Sequence, residues 1–143
     1  MKKKYLIVVA DYYKDIAKDL LDSALRLIPK SNIVSIVRVP GVFEIPVTIS
    51  KNIKKYDAFL ALGCVIKGQT PHFDFISQAS TNAIMDISVL NKKPIGNGII
   101  TCLNMKQAKL RRKKGAEAAK AVNSVLSQKW KLISIQRIIQ ELL

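Results

Sequence analysis

The chain has 143 residues and a mass of 15.9 kDa, enough for a single domain, residues 1–143, with its own core. Its 49% apolar content excludes disorder. No apolar run approaches the roughly 20 residues that span a bilayer, and the run at 5–10 is too short for a signal peptide, so a cytosolic protein off the membrane is expected. The net charge of +14 raises a nucleic-acid reading. Only residues 106–114 are dense in charge, and no RNP, KH, zinc-finger or helix-turn-helix pattern accompanies them, so no nucleic-acid partner is expected.

Residues 5–10 form a continuous apolar strand of the kind buried in a parallel sheet. Residues 14–28 carry Ile16, Leu20, Leu21, Ala24, Leu25 and Ile28 at helical spacing. Ile33–Val39 reads as a β-branched second strand stopped by Pro40-Gly41, and 45–53 as a short helix with Pro46 in its first turn. A third strand covers 58–65 and a long helix 73–90. Ile95–Cys102 is a fourth strand, expected to be loosened by Gly96 and Gly98. One last long helix is expected from 105 to about 130, with a shorter one over 133–143. Cys64 and Cys102 lack a CxxC or histidine neighbour and read as reduced thiols on buried strands, with neither a disulfide nor a metal site. Repeated β-α units predict a parallel sheet with helices on both faces.

Ligands of such sheets bind beyond the carboxyl ends of the strands. That rule selects the loops at 11–13, 40–44, 66–72 and 103–104. In the third, Thr70 suits an N-cap and Pro71 the first helical position, so the amides near Gly68 and Gln69 would face a phosphate. His72, the only histidine, would sit beside that anion site and can relay protons near neutral pH, with Asp74 as its orienting neighbour. Glu44 offers a carboxylate to a polyol or amine. Tyr12 and Tyr13 offer phenol rings to a flat heterocycle or to the core. Arg111 has the fork that grips a phosphate.

The segment Val39-Pro40-Gly41-Val42-Phe43-Glu44-Ile45-Pro46 and the segment Gly63-Cys64-Val65-Ile66-Lys67-Gly68-Gln69-Thr70-Pro71-His72-Phe73-Asp74 together resemble the two substrate-binding motifs of the lumazine synthases. Further likeness runs from Gly98-Ile99-Ile100-Thr101 through Arg111 to Lys114-Gly115-Ala116-Glu117. The resemblance implies a three-layer, flavodoxin-like fold around a four-stranded parallel sheet. It implies a transferase of riboflavin biosynthesis that condenses 5-amino-6-(D-ribitylamino)uracil with 3,4-dihydroxy-2-butanone 4-phosphate, with no metal or organic cofactor. A binding-only relative that holds riboflavin or lumazine without turnover is the alternative. Receiver modules want an acidic pair after the first strand, and flavodoxins a hydroxyl- and glycine-rich loop there. This chain has Asp11-Tyr12-Tyr13.

Carried over by motif, Tyr12 would stack on the pyrimidine, and Val42, Phe43 and Glu44 would bind it and its ribityl chain. Val65, Ile66 and Lys67 would line the ring through their backbone. Gly68, Gln69, Thr70 and Arg111 would hold phosphate, and His72 would shuttle protons. Lys114 and Glu117 match a pair near the site. Asn97 and Arg111 would serve the site of an adjacent subunit. Tyr12 stands where phenylalanine or tryptophan is usual, Lys67 and Gln69 where arginine and glutamate are frequent, and Asn97 where phenylalanine is common. The stretch between Arg111 and Lys114 is shorter than the usual pattern by about four residues, close to one helical turn. The implied partners are further copies of the chain, as a homopentamer or a pair of them, together with riboflavin synthase. A ring is expected in preference to a shell, because only residues 1–4 precede the first strand. Ile135, Ile138, Ile139 and Leu142 form a stripe that the domain or a neighbour must cover.

Overall fold

The aliphatic runs fold into four parallel strands, in a computed structural model that describes residues 2–128 and 135–143. They are β1 (Lys4–Ala10), β2 (Ile33–Val39), β3 (Ala58–Ile66) and β4 (Ile95–Cys102), in the order β2-β1-β3-β4. Inner strands β1 and β3 are buried on both faces, so every side chain in their centres must be apolar. The period of two sorts them. Tyr5, Ile7 and Val9 join one core cluster, and Leu6, Val8 and Ala10 join the other.

Helices α1 (Lys14–Leu27) and α5 (Gly115–Leu126) cover the first cluster. A 3-10 turn (Val42–Glu44), α2 (Ile45–Asn52) and α3 (His72–Asn91) cover the second. This is the expected three-layer arrangement. α4 (Met105–Arg111) adds Ala108 to the first cluster at the end of β4. α6 (Ile135–Leu142) exposes all four residues of its apolar stripe. Among the described residues no helix is long and apolar enough to cross a membrane.

Three local expectations are corrected. The last long helix is two helices, because the chain turns at Arg112–Lys114, with the Lys114 amide bonding the Arg111 carbonyl at 3.0 Å. The turn lets α4 stay at the end of β4 while α5 lies down on α1. The end expected near residue 130 lies outside the described residues, as does the start of the shorter helix at 133. Gly96 and Gly98 do not loosen β4, which pairs with β3 along all eight of its residues. A side chain at Gly96 would run into the Ala118 carbonyl of α5, and one at Gly98 into Leu62, so these glycines set how closely the layers approach. Finally, α3 is capped by Pro71 and not by Thr70. The Pro71 carbonyl accepts the amides of Asp74 and Phe75 at 3.1 and 3.2 Å, so the helical bonding starts from Pro71.

Gly115 makes the tightest of these approaches, since a Cβ there would collide with the Leu20 carbonyl of α1 and crowd Ser23 Oγ at 2.8 Å. Gly115→Ala is expected to destabilise the fold by about 1–3 kcal/mol, the usual effect of overpacking. Gly68→Ala meets nothing within 4 Å and is expected to stay within about 0.5 kcal/mol of wild type. Urea unfolding midpoints of the two variants check both values.

Candidate functional site

The chain leaves β1 towards β2 and returns to place β3 on the other side of β1, so the loops after β1 and β3 diverge. The crevice between them is where ligands of open parallel sheets bind. Here it is a cavity of about 550 Å³. One wall comes from the loop after β1, with Tyr12 and Tyr13. The second comes from the turn after β2, with Gly41, Val42, Phe43 and Glu44. The floor is the end of β3 at Cys64, Val65 and Ile66, and His72 and Ile76 of α3 close the far side.

Seven residues carried over by motif thus meet in one cavity: Tyr12, Val42, Phe43, Glu44, Val65, Ile66 and His72. Their exposures differ in a way that assigns work. Val42 is buried in the core beneath the cavity, so it offers backbone, while Phe43 at 68% and Tyr12 at 75% present whole rings. The Glu44 carboxylate stays beside Gly41, where a Cβ would lie 3.6 Å from its Oε1. His72 makes no hydrogen bond to Asp74, because residues two apart on a helix do not face each other.

Lys67, Gly68, Gln69 and Thr70 are all exposed in the loop between β3 and α3, just past the floor. None of the amides from Gly68 to Thr70 donates to a backbone carbonyl among the described residues. Asn97 and Arg111 do not line this chain's crevice. Asn97 lies in the middle of edge strand β4, and its Oδ1 accepts the Ile99 amide at 3.1 Å. Arg111 ends α4, with Nη1 donating to the Gln107 carbonyl at 3.4 Å, and its charge acts on the Cys102 thiol. Lys114 and Glu117 pair with each other at 3.1 Å on the surface. The loop after β4 is spent on capping. Asn104 Oδ1 accepts the Gln107 amide at 2.9 Å, and Gln107 Oε1 accepts the Leu103 amide at 2.8 Å.

Gly41, Tyr13, Cys64 and Ile76 complete the lining. Tyr13 was legible as one of two aromatics after β1, whereas Cys64 and Ile76 carried no signal beyond lying next to or near selected positions. The thiols of Cys64 and Cys102 share a hydrogen bond between neighbouring strands, as free buried cysteines. Burial first, then the neighbouring thiol, pushes Cys64 up to about 12, and burial also raises Cys102. Burial raises the Tyr13 phenol as well, helped by Cys64 and Tyr12.

A family model described as 6,7-dimethyl-8-ribityllumazine synthase matches residues 2–129. A protein of that name from Cutibacterium acnes is 40% identical over 133 residues, 87% of this chain and 80% of its own length. The 6,7-dimethyl-8-ribityllumazine synthase 1 of Rhodopseudomonas palustris is 40% identical over 142 residues, with 90% and 87% covered. A relative of the same description in Bartonella bacilliformis is 44% identical over 115 residues, covering 77% and 76%.

The thiols beneath the crevice give a pH dependence. Folded Cys64 holds its proton to about 12, against an ordinary value of 9.0. Its contribution to stability is therefore complete below the ordinary value and drains away as the pH rises through that window. The urea midpoint is expected to fall across this range, and Cys64→Ala to flatten part of the fall. A thiol reagent at about pH 8 should label neither cysteine until the protein unfolds. Rapid labelling of the folded protein would contradict the burial argument.

Proposed function

The chain belongs to the 6,7-dimethyl-8-ribityllumazine synthase family, and from that premise we propose how its residues divide the reaction. The enzyme is a transferase of riboflavin biosynthesis that joins 5-amino-6-(D-ribitylamino)uracil to 3,4-dihydroxy-2-butanone 4-phosphate, releasing phosphate and water. The observation that carries the assignment of roles is the meeting of Tyr12, Phe43, Glu44 and His72 from three separate loops in one crevice.

The Tyr12 ring, free on its outer face, stacks on the pyrimidine. Glu44 accepts hydrogen bonds from ribityl hydroxyls beside the exposed ring of Phe43. The backbone of Val65, Ile66 and Lys67 continues the floor along the heterocycle. The phosphate of the second substrate rests on Gly68, Gln69 and Thr70, in front of the amino end of the 20-residue helix α3. The pyrimidine amine then attacks the ketone carbonyl and water leaves to give an imine. Phosphate is eliminated, and ring closure with loss of water gives the lumazine. His72, at the mouth and one residue past the phosphate loop's Pro71, moves protons between these steps. Holding two reactants in register supplies much of the acceleration.

Arg111 and Asn97 do their work in the crevice of a neighbouring copy, with Lys114 and Glu117 beside it. This reading is supported by their absence from their own chain's crevice. It is also supported by apolar surface left uncovered on α3 at Phe75, Met85, Val89 and Leu90, and on α6. The assembly is a homopentamer, alone or paired into a decamer, working in the cytosol. Riboflavin synthase, which takes up the lumazine, is its protein partner. The steps assigned here are drawn without a metal or an organic cofactor.

Purified protein, chelated and dialysed, is expected to convert the two substrates to lumazine at full rate, followed by absorbance. No product at saturating substrate would overturn the assignment. Arg111→Ala should raise the KM for the phosphate-bearing substrate roughly 10- to 150-fold, the loss of a charge-assisted hydrogen bond, with little change for the pyrimidine. Co-expression of Arg111→Ala chains with His72→Ala chains should restore activity, because some crevices then receive an intact His72 from one copy and an intact Arg111 from the next. Mixed assemblies no more active than either variant would show that Arg111 does not act across the interface.

A further inference from the structure

Tyr13 is held more firmly than a loop aromatic needs to be. It is the residue before α1, and its carbonyl accepts the Ala17 amide at 2.9 Å, so the first turn of the helix fixes its backbone. Its ring packs half-buried against the α1-side core and stands edge-on to Tyr12, with centroids 4.9 Å apart and planes at 77°. The ring is thereby fixed from two sides while it lines the crevice.

Its hydroxyl is treated differently from that of Tyr5. Tyr5, 2% exposed on the same side of the sheet, donates to Asn123 Oδ1 at 2.7 Å, as a buried phenol ordinarily must. Tyr13 Oη makes no hydrogen bond among the described residues, while its half-buried ring packs against the α1-side core. A fixed ring that lines the crevice, with a hydroxyl bonded to nothing among the described residues, can serve as a recognition group for a ligand atom. Burial beside Cys64 keeps that phenol protonated, hence a donor.

We propose that Tyr13 determines specificity for the pyrimidine substrate, donating a hydrogen bond from Oη to a ring carbonyl of the uracil while Tyr12 stacks on its face. The proposal rests on the reading of the crevice given above. The two tyrosines then share one task. Tyr12 gives sequence-tolerant stacking, and Tyr13 gives the directional contact that a flat ring without a carbonyl could not satisfy. Glu44 and His72 stand on the opposite side of the crevice, on the turn after β2 and on α3, and so address other parts of the reactants.

Tyr13→Phe removes Oη and leaves the ring and its packing. The KM for 5-amino-6-(D-ribitylamino)uracil is expected to rise about 3- to 10-fold, the effect of one neutral hydrogen bond, with the KM for the butanone phosphate unchanged. Fluorescence titration with the product lumazine, which keeps the same carbonyls, should show the same loss without turnover. Tyr13→Asn, which also removes the ring that backs Tyr12, should bind more weakly still. Wild-type affinity for both pyrimidine ligands in Tyr13→Phe would overturn the proposal, and so would an equal rise in both KM values. If wild type forms no lumazine but binds it, the catalytic reading fails and the titration still decides the role of Tyr13. If wild type does not bind lumazine at all, both fail.

Discussion

The site exists because the strand order reverses between β1 and β3, a gap that backbone hydrogen bonding cannot close. The connection from β1 passes to β2 on one side, and β3 pairs on the other. The loops after β1 and β3 are therefore driven apart over the middle of the sheet. Gly63 makes this gap usable. A Cβ there would stand 2.8 Å from Val42 Cγ2 and 3.1 Å from Ala10 Cβ, so its absence lets the turn after β2 lie down over the ends of β1 and β3. With that turn seated, Val42 becomes core, and Phe43 and Glu44 are brought to the edge of the crevice. The glycine and the turn belong to different sequence motifs, yet each has its position only in contact with the other.

Elements whose cause is local were readable from the sequence. β2 and β4 start and stop where β-branched runs meet Pro40-Gly41, Pro94 and the capping Asn104. The loops at strand ends followed from the alternation of elements alone, and three of them line the crevice. What escaped was set by distant contacts. The break between α4 and α5 reflects the need for Gly115 to reach Leu20, far away in the chain, and helical periodicity runs through it unmarked. Gly96 and Gly98 look like weak points in a strand until α5 is laid across them. Cys64 and Ile66 point to the α1 side and Val65 to the other, so a floor made by a strand end draws on both faces, and motif reading named Val65 and Ile66 but gave Cys64 no role. Thr70 and Pro71 compete for one cap, and the first helical amides bond the Pro71 carbonyl.

The charge of the chain also has a structural explanation that the sequence order conceals. All strands are parallel, so the helices that connect them run back the opposite way, and their carboxyl ends collect at the amino edge of the sheet. Those ends carry partial negative charge and unpaired carbonyls. Arg26 and Lys51 lie in the last turns of α1 and α2, and Lys92 and Lys93 directly follow α3. Lys93 Nζ donates to the Ile53 carbonyl, the cap of α2, at 2.6 Å. Lys30, Lys54 and Lys55 sit in the same layer of turns. Six lysines and Arg26 thus sit where helix ends favour a cation, and this part of the net charge does not require a polyanionic partner to account for it.

α3 leaves apolar surface uncovered on a single copy of this chain. Over 20 residues it buries only Ser80 and Ile84, with Ile76 and Ile87 packed at the margin of the core. A helix that served only to cover one sheet face would carry polar residues on its outer side. Instead Phe75, Val89 and Leu90 stand exposed there, with Met85 beside them, and the helix begins at His72 in the crevice. On the reading proposed above, contact of α3 with another copy would act on the crevice directly, since the same helix would carry an interface on one face and His72 at its end. Pentamer formation, on the reading proposed for this family member, then does more than bring Arg111 to a neighbour. It fixes the direction in which α3 aims His72, so assembly and catalytic geometry become one equilibrium.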